Sequence, residues 1–349
     1  MYQEELNNEE IKEEETASSE DKQEEQTNDI AITSFIDVDI KENNPKDYKE
    51  IVEDLRLNIF NQTQKAQKRS RLASWIMIIL SIAGVVLFFT KDSNPQFEGL
   101  FIGLAIGCLV LAVLVIIVTS VLNKRTNHID TKKEYIYPAT IAMNRYIFAN
   151  EVFEKVTQDC EEKVNMEDVL EDNVYSNAVD SVSRNFVHGT YKGKSFYVGE
   201  LGLFNAPANS RHKQTLFIGK YLRVENNAHF TGNYIIVSKG ETEMDLPFIP
   251  EGYSVLIDDG KFLVYGNSGA NYQKDIGKEF INKIKDIKIE DVLLNICVSI
   301  YADHVSFYLS YDDPVTTLPF YEKLKDSAIE FYKDNLYKAL EALESLSKE

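Results

Sequence analysis

Apolar positions run unbroken in two places along this chain. Residues 72–90 read LASWIMIILSIAGVVLFFT and residues 99–122 read GLFIGLAIGCLVLAVLVIIVTSVL, both without a charge. A helix needs about 20 residues to cross the hydrocarbon core of a bilayer. A helix is required because in lipid every backbone polar group must find its partner inside the segment. The pattern therefore predicts a two-helix membrane hairpin over 72–122. The linking residues, KDSNPQFE, are too few for a domain, and Asn94-Pro95 makes a natural turn. Neither span holds an ionisable group, and two helices enclose no pore, which argues against an ion or proton path.

The flanks predict an orientation. Lys65, Lys68, Arg69 and Arg71 precede the first span, and Lys124, Arg125, Lys132 and Lys133 follow the second. The loop sets Lys91 against Asp92 and Glu98. By the positive-inside rule both termini are cytoplasmic, in a cell membrane crossed twice. The basic cluster Lys65, Lys68, Arg69 and Arg71 should also contact anionic lipid headgroups, and Trp75 falls near the inner boundary. Gly99, Gly103 and Gly107 recur every fourth residue and form a helix-packing groove. The first span, with its small Ser74, Ser81 and Gly84, is the expected occupant. A second copy of the chain is the other.

Helical spacing returns on either side of the hairpin. Asn44-Pro45-Lys46-Asp47 is a helix start, and Tyr48, Ile51, Val52, Leu55 and Ile59 form a stripe after it. This predicts an amphipathic juxtamembrane helix within 31–71. Before it, Ile36, Val38 and Ile40 alternate with Asp37 and Asp39, as in a short strand or docking segment. Beyond the second span, Val152, Phe153, Val156 and Cys160 predict a helical stripe, so 123–172 reads as a helical connector punctuated by Pro138. The two helices either form a stalk, with coiled-coil pairing an option, or pack on the domain that follows. The pattern admits both.

From residue 173 to 349 the period switches to two. Strands are predicted at 184–191 and 194–201, joined by Lys192-Gly193, and at 215–224, 234–238, 253–257 and 262–265. A helix follows with Ile276, Phe280, Ile281 and Ile284 on one face. In the hairpin over 292–310, Leu294, Ile296, Val298 and Ile300 match Val305, Phe307 and Leu309 across an Ala302-Asp303 turn. Asn295, Cys297, Ser299, Ser306, Tyr308 and Ser310 point the other way, which predicts one core face and one solvated face. A long final helix starts near Pro319, with Tyr321, Leu324, Ala328, Phe331, Leu336, Leu340 and Leu343 as its stripe. The expectation is an α+β domain of roughly 175 residues.

Charge changes this picture in one place. Residues 1–29 hold twelve carboxylates and two lysines, about half of the formal charge of -19, and predict a disordered acidic tail over 1–30. An opening rich in Glu and Asn also lacks the basic region of an export signal. Cys108, Cys160 and Cys297 lie too far apart for a CxxC site, as expected in a reducing cytoplasm.

The candidate chemistry is sparse. Gly189 to Ser195 (GTYKGKS) has one residue too few for a phosphate-binding loop and leads into a strand. Gly266-Asn267-Ser268-Gly269-Ala270 falls short of a nucleophile elbow by its last glycine, with His304 the only later histidine available as a base. Both read as turns. His128, His188, His212, His229 and His304 show no ligand spacing, and Asp258-Asp259 and Asp312-Asp313 sit at chain breakers, as solvated turns do. No catalytic, cofactor or metal residue is predicted. An acidic chain without a basic face gives no sign of nucleic-acid binding.

The order of these features resembles the uncharacterised bacterial membrane proteins of Domain of Unknown Function family 3137. The likeness is carried by residues 196–200, Thr215-Leu-Phe-Ile-Gly-Lys-Tyr221, Phe262-Leu-Val-Tyr265, the 296–309 hairpin and the last helix, and spans roughly residue 71 to the C-terminus. It implies the architecture and a bacterial origin, and no activity. The expectation is a membrane-anchored cytoplasmic binding or scaffold module whose partners are the bilayer and a protein, a small ligand or a second copy. An enzyme with a site assembled from scattered residues and an oligomeric scaffold built on the glycine groove are the alternatives.

Overall fold

The computed structural model describes residues 35–41, 47–90, 95–124, 130–207, 210, 214–239, 249–287, 293–311 and 321–346. The acidic tail, Pro319 and Asp312-Asp313 lie outside these residues. The first helix, α1, runs Tyr48–Thr90 without interruption, so the amphipathic stretch and the first apolar span form one rod of 43 residues. At 1.5 Å per residue that is roughly 65 Å. The second helix, α2, covers Glu98–Leu122 and returns antiparallel to it. Both are long and apolar enough to cross a membrane, and the rest of the chain covers only 6% and 11% of their apolar windows.

The contact between them is not the expected one. A Cβ built on Gly84 would lie 3.5 Å from the Ala105 carbonyl oxygen and from Cys108 Cβ, and Ala105 and Ala112 are buried there. Gly99, Gly103 and Gly107 have nothing within 4 Å of their Cβ positions. Residues 84, 105 and 112 face the partner helix, and the four-residue glycine row lies on another side of α2. A polar clasp closes the end of the hairpin. Asn123 Nδ2 donates to Ser70 Oγ at 3.0 Å, and Arg69 Nη1 donates to the Leu122 carbonyl at 3.2 Å. The second bond satisfies a carbonyl that the end of α2 leaves unpaired.

A π-helical turn at Lys132–Ile136 leads into α3, Tyr137–Ile147. Three further helices are α4 (Met166–Glu171), α5 (Gly277–Lys285) and α6 (Asp326–Leu346), and single helical turns lie at Pro95–Phe97 and Tyr272–Asp275. Helices α1 and α3 pack on each other, and α3 packs in turn on the domain. Tyr48 stacks on Tyr146 with ring centres 4.5 Å apart, and the Tyr146 hydroxyl donates to Glu330 of α6 at 2.7 Å.

The sheet has ten strands in the order β1-β2-β3-β4-β5-β10-β9-β6-β8-β7, with every described pair antiparallel. Its strands are β1 (Val38–Asp39), β2 (Phe153–Asp159), β3 (Asp180–Tyr191), β4 (Lys194–Phe204), β5 (Thr215–Glu225), β6 (Tyr234–Ser238), β7 (Ser254–Asp258), β8 (Phe262–Gly266), β9 (Leu293–Ile300) and β10 (His304–Tyr311). The expected 36–40 segment docks as β1. The expected helical stripe at Val152, Phe153, Val156 and Cys160 is in fact β2. Lys155 has φ +50° and the register shifts between Glu154 and Thr157. This bulge inserts a residue, so Phe153 and Val156 both point inward three apart, mimicking a helix. The predicted connector thus belongs partly to the sheet. The Lys192-Gly193 turn has φ +48° and +81°, the two positive values a tight hairpin needs.

Both faces of the central strands are buried, and this corrects the expectation of a solvated face on the β9–β10 hairpin. Helices α3, α5 and α6 cover one side, where Lys220 lies 4.9 Å from the Tyr332 ring and Phe148 stacks on Phe196. On the other, Cys297, Ser299, Ser306 and Tyr308 are at most 2% exposed beneath α4 and the segment after it. Two further positions differ. A bulge opposite Ser310 and Tyr311 leaves Leu294 48% exposed and buries Leu293 instead. The last helix begins after Tyr321, which is exposed, and buries Ile329, Tyr332, Leu336, Leu340 and Leu343.

Two predictions follow from this packing. Gly84→Leu should break the α1–α2 contact and Gly103→Leu should leave it intact, as read by crosslinking between cysteines placed at 69 and 123. Glu200 is buried between Lys220 at 3.1 Å and Arg184 at 2.5 Å. Burial raises its carboxyl, but Lys220 and then Arg184 more than offset this and hold it below the ordinary range. A depressed folded value contributes stability at neutral pH that is lost as pH falls through it. Thermal melts in detergent should therefore decline on acidification below the ordinary glutamate range, and Glu200→Gln should start lower but decline less.

Candidate functional site

The short helix α4 places a carboxylate inside the sheet domain. Asn165 caps its start by accepting from the Glu167 amide at 3.1 Å. At its end Asn173 adopts φ +57°, the left-handed turn that Asn tolerates after a helix. The turn aims Asp172 at the face made by β5, β10 and β9. Asp172 has no solvent exposure.

An isolated buried carboxylate is costly unless its oxygens are filled. Tyr221 and Tyr308 donate to Asp172 Oδ2 at 2.8 and 2.7 Å. Ser306 and His304 Nε2 donate to Oδ1 at 2.8 and 2.9 Å. These four bonds fill the acceptor sites of the carboxylate. The Asp172 carbonyl accepts from Ser299 Oγ at 2.8 Å. Arg223 supplies the opposite charge, with Nη1 3.8 Å from Oδ1. The same guanidinium donates to the Asp168 carbonyl at 2.9 Å and to Glu171 at 2.7 Å, so it also holds the end of α4. Burial, and next the charge of Asp172, push the Tyr221 and Tyr308 phenols well above their usual value, so both remain donors.

This nest forms the wall of a cleft. A cavity of about 350 Å³ is lined by His188, Gly189, Ser195, Phe196, Tyr197, Arg223, Glu225, Asp303 and His304. Tyr197 is tied to Asp168 at 3.0 Å and His188 to Glu162 at 2.5 Å. His304 is held from three sides. Its Nε2 bonds Asp172, its Nδ1 lies 2.9 Å from Asp303 Oδ1, and the Tyr301 ring stacks on it at 4.9 Å with a tilt of 10°. One ligand atom each from Glu171, Asp303 and His304 lie within 4.8 Å of one another, the one such group among the described residues.

The features singled out from the sequence fall as follows. Gly189 and Ser195 flank the β3–β4 turn, as expected, and that turn borders the cleft. Ser268 is exposed in the turn after β8, while His304 is engaged with Asp172 and Asp303, so the two do not form a nucleophile–base pair. Asp258 ends β7 and Asp259 follows it, and they pair with Lys239 and Lys285. His229 is exposed, and His128 and His212 lie outside the described residues. Lys65, Lys68, Arg69 and Arg71 are all exposed on α1, where headgroups would meet them. The Cys160 thiol is pushed up to about 12 by burial, and Cys297 is raised by burial and the charge of Asp172, so neither is an activated nucleophile. The fold brings together His188 and His304, which the sequence holds apart. Asp172, Arg223, Tyr221 and Tyr308 were not anticipated. A signal for them existed: apart from His304, the outward positions of β10 are Ser and Tyr, not the Lys and Glu of a solvated face.

No protein-family model matches the chain, and no curated protein does. Among solved structures, the mycobacterial trehalose monomycolate transport factor A matches at 13% identity, over 52% of this chain and 88% of that one. Its TM-score of 0.28 is too low to carry an argument about either fold or function.

Asp172→Asn would set an amide N–H against hydroxyl donors and remove the buried charge that faces Arg223. It should cost about 3 kcal/mol, and Tyr308→Phe about 1–2 kcal/mol. Denaturant titration of the full chain in detergent, read by near-ultraviolet circular dichroism of the tyrosine cluster, measures both.

Proposed function

We propose that this protein is a membrane-anchored binding module, with its hairpin in the cytoplasmic membrane and its sheet domain presenting a ligand-binding cleft on the cytoplasmic side. The observation that carries this reading is the buried Asp172, which fixes His304 at the cleft wall and faces the Arg223 guanidinium there. Buried polar networks of this kind are demanding to assemble, and they hold functional groups at set positions.

The anchor is supported by exposure. Leu72, Trp75, Ile79 and Phe89 are each more than 60% exposed, and the core helix of a soluble protein would bury such residues. The orientation rests on the basic flanks of both spans. The domain emerges on the side of both flanks because α1 is continuous and α3 packs against its first turns. A cleft carried on this anchor would hold its ligand on the inner side of the membrane. The resemblance to Domain of Unknown Function family 3137 fits this arrangement.

Carbonate extraction combined with cysteine labelling in intact cells tests the reading. The protein should stay in the pellet at high pH and leave it only with detergent. Gln96→Cys in the loop should react with an impermeant maleimide from outside, and Ser327→Cys only after lysis. Release by carbonate alone, or labelling of position 327 from outside, would contradict the proposal.

A further inference from the structure

We infer that Glu171, Asp303 and His304 form a divalent-cation site at the mouth of the cleft, which deepens the reading of that cleft as a binding site and rests on it.

The argument begins with the proton on His304. Asp172 is acceptor-only and fully buried, so the ring nitrogen 2.9 Å from it, Nε2, carries the N–H. In a neutral ring Nδ1 is then a lone pair. That lone pair faces Asp303 Oδ1 at 2.9 Å. Two acceptors at this distance repel unless something positive lies on them, either a second proton or a metal ion. His304 itself is 3% exposed and cannot turn away to relieve the contact.

Charge points to the metal ion. Glu171, Asp172 and Asp303 bring three negative charges to this corner, and Arg223 brings one positive, which leaves a formal -2. Glu225, beside His304 in the β5–β10 register, adds another carboxylate to the cleft wall. A proton on His304 offsets one unit, and a divalent ion offsets two.

The geometry is that of a supported ligand. A histidine that binds metal through one nitrogen commonly donates its other N–H to a carboxylate, which fixes its tautomer and plane. Asp172 takes that place, and the stacked Tyr301 ring fixes the plane further. The two carboxylates come from exposed side chains that can close the remaining distance, since ligand atoms sharing one ion lie about 3–4 Å apart for bonds near 2.1 Å. One nitrogen and two oxygens suit zinc or manganese better than calcium. Further coordination positions open into the cavity, where water or part of a ligand would complete the shell.

The test uses the full, tag-free chain in detergent micelles, titrated with ZnCl2 and with MnCl2 by isothermal calorimetry. One ion should bind per chain. Asp303→Asn and Glu171→Gln, both at exposed positions, should each weaken binding by about tenfold or more, and His304→Gln more strongly. His229→Gln should leave the affinity unchanged, since that exposed histidine lies outside the cleft lining. Melting curves confirm that each variant is folded, and the two exposed carboxylate variants keep the test open if His304→Gln is not. Binding of neither metal, or equal affinity in wild type and Asp303→Asn, would overturn the inference and assign the charge beside His304 to a proton. That outcome would not touch the membrane anchor, whose own test is extraction and labelling.

Discussion

The cleft side of this domain depends on one buried charge. Asp172 sits where a low-dielectric interior would expel a carboxylate, and it stays because four donors and a guanidinium converge on it. The consequences reach outward from there. The two oxygens fix Tyr221, Tyr308, Ser306 and His304 on two neighbouring strands. The same residue ends α4, so filling its oxygens also docks that helix over a sheet face that would otherwise be wet. The wall of the cleft is the outer surface of this arrangement.

The opposite face is built differently. There Glu200, Lys220 and Arg184 balance charge beneath α6, while the surrounding contacts are aliphatic and aromatic. Helix α1 runs from the hairpin to its contact with the domain without a break, and the Tyr48–Tyr146 stack holds its first turn.

Much of the fold was legible in the residues. The two apolar runs, the hairpin at Lys192-Gly193 and β6 appear where the pattern puts them, because each is decided by local chemistry. The failures share a cause, which is structure that depends on distant partners or on an extra residue. At Lys155 a bulge converts strand spacing into helix spacing, so Phe153 and Val156 were misread. The row Cys297, Ser299, Ser306 and Tyr308 was read as solvated because nothing local says that α4 will cover it. Asp172 was placed in a connector, just before the domain, since its partners Tyr221 and Tyr308 lie 49 and 136 positions away. The glycine row on α2 met a general rule for helix packing, but the partner helix approaches elsewhere.

The central claim is that Asp172 organises α4 and the His304 end of the sheet as one unit. Hydrogen exchange followed by mass spectrometry on the wild type and on Asp172→Asn measures this directly. If the claim holds, peptides covering residues 166–173 and 301–306 will exchange at least about tenfold faster in the variant, while β3, β6 and α6 keep their protection. Unchanged protection over 166–173, or a uniform loss across the whole domain, would contradict it.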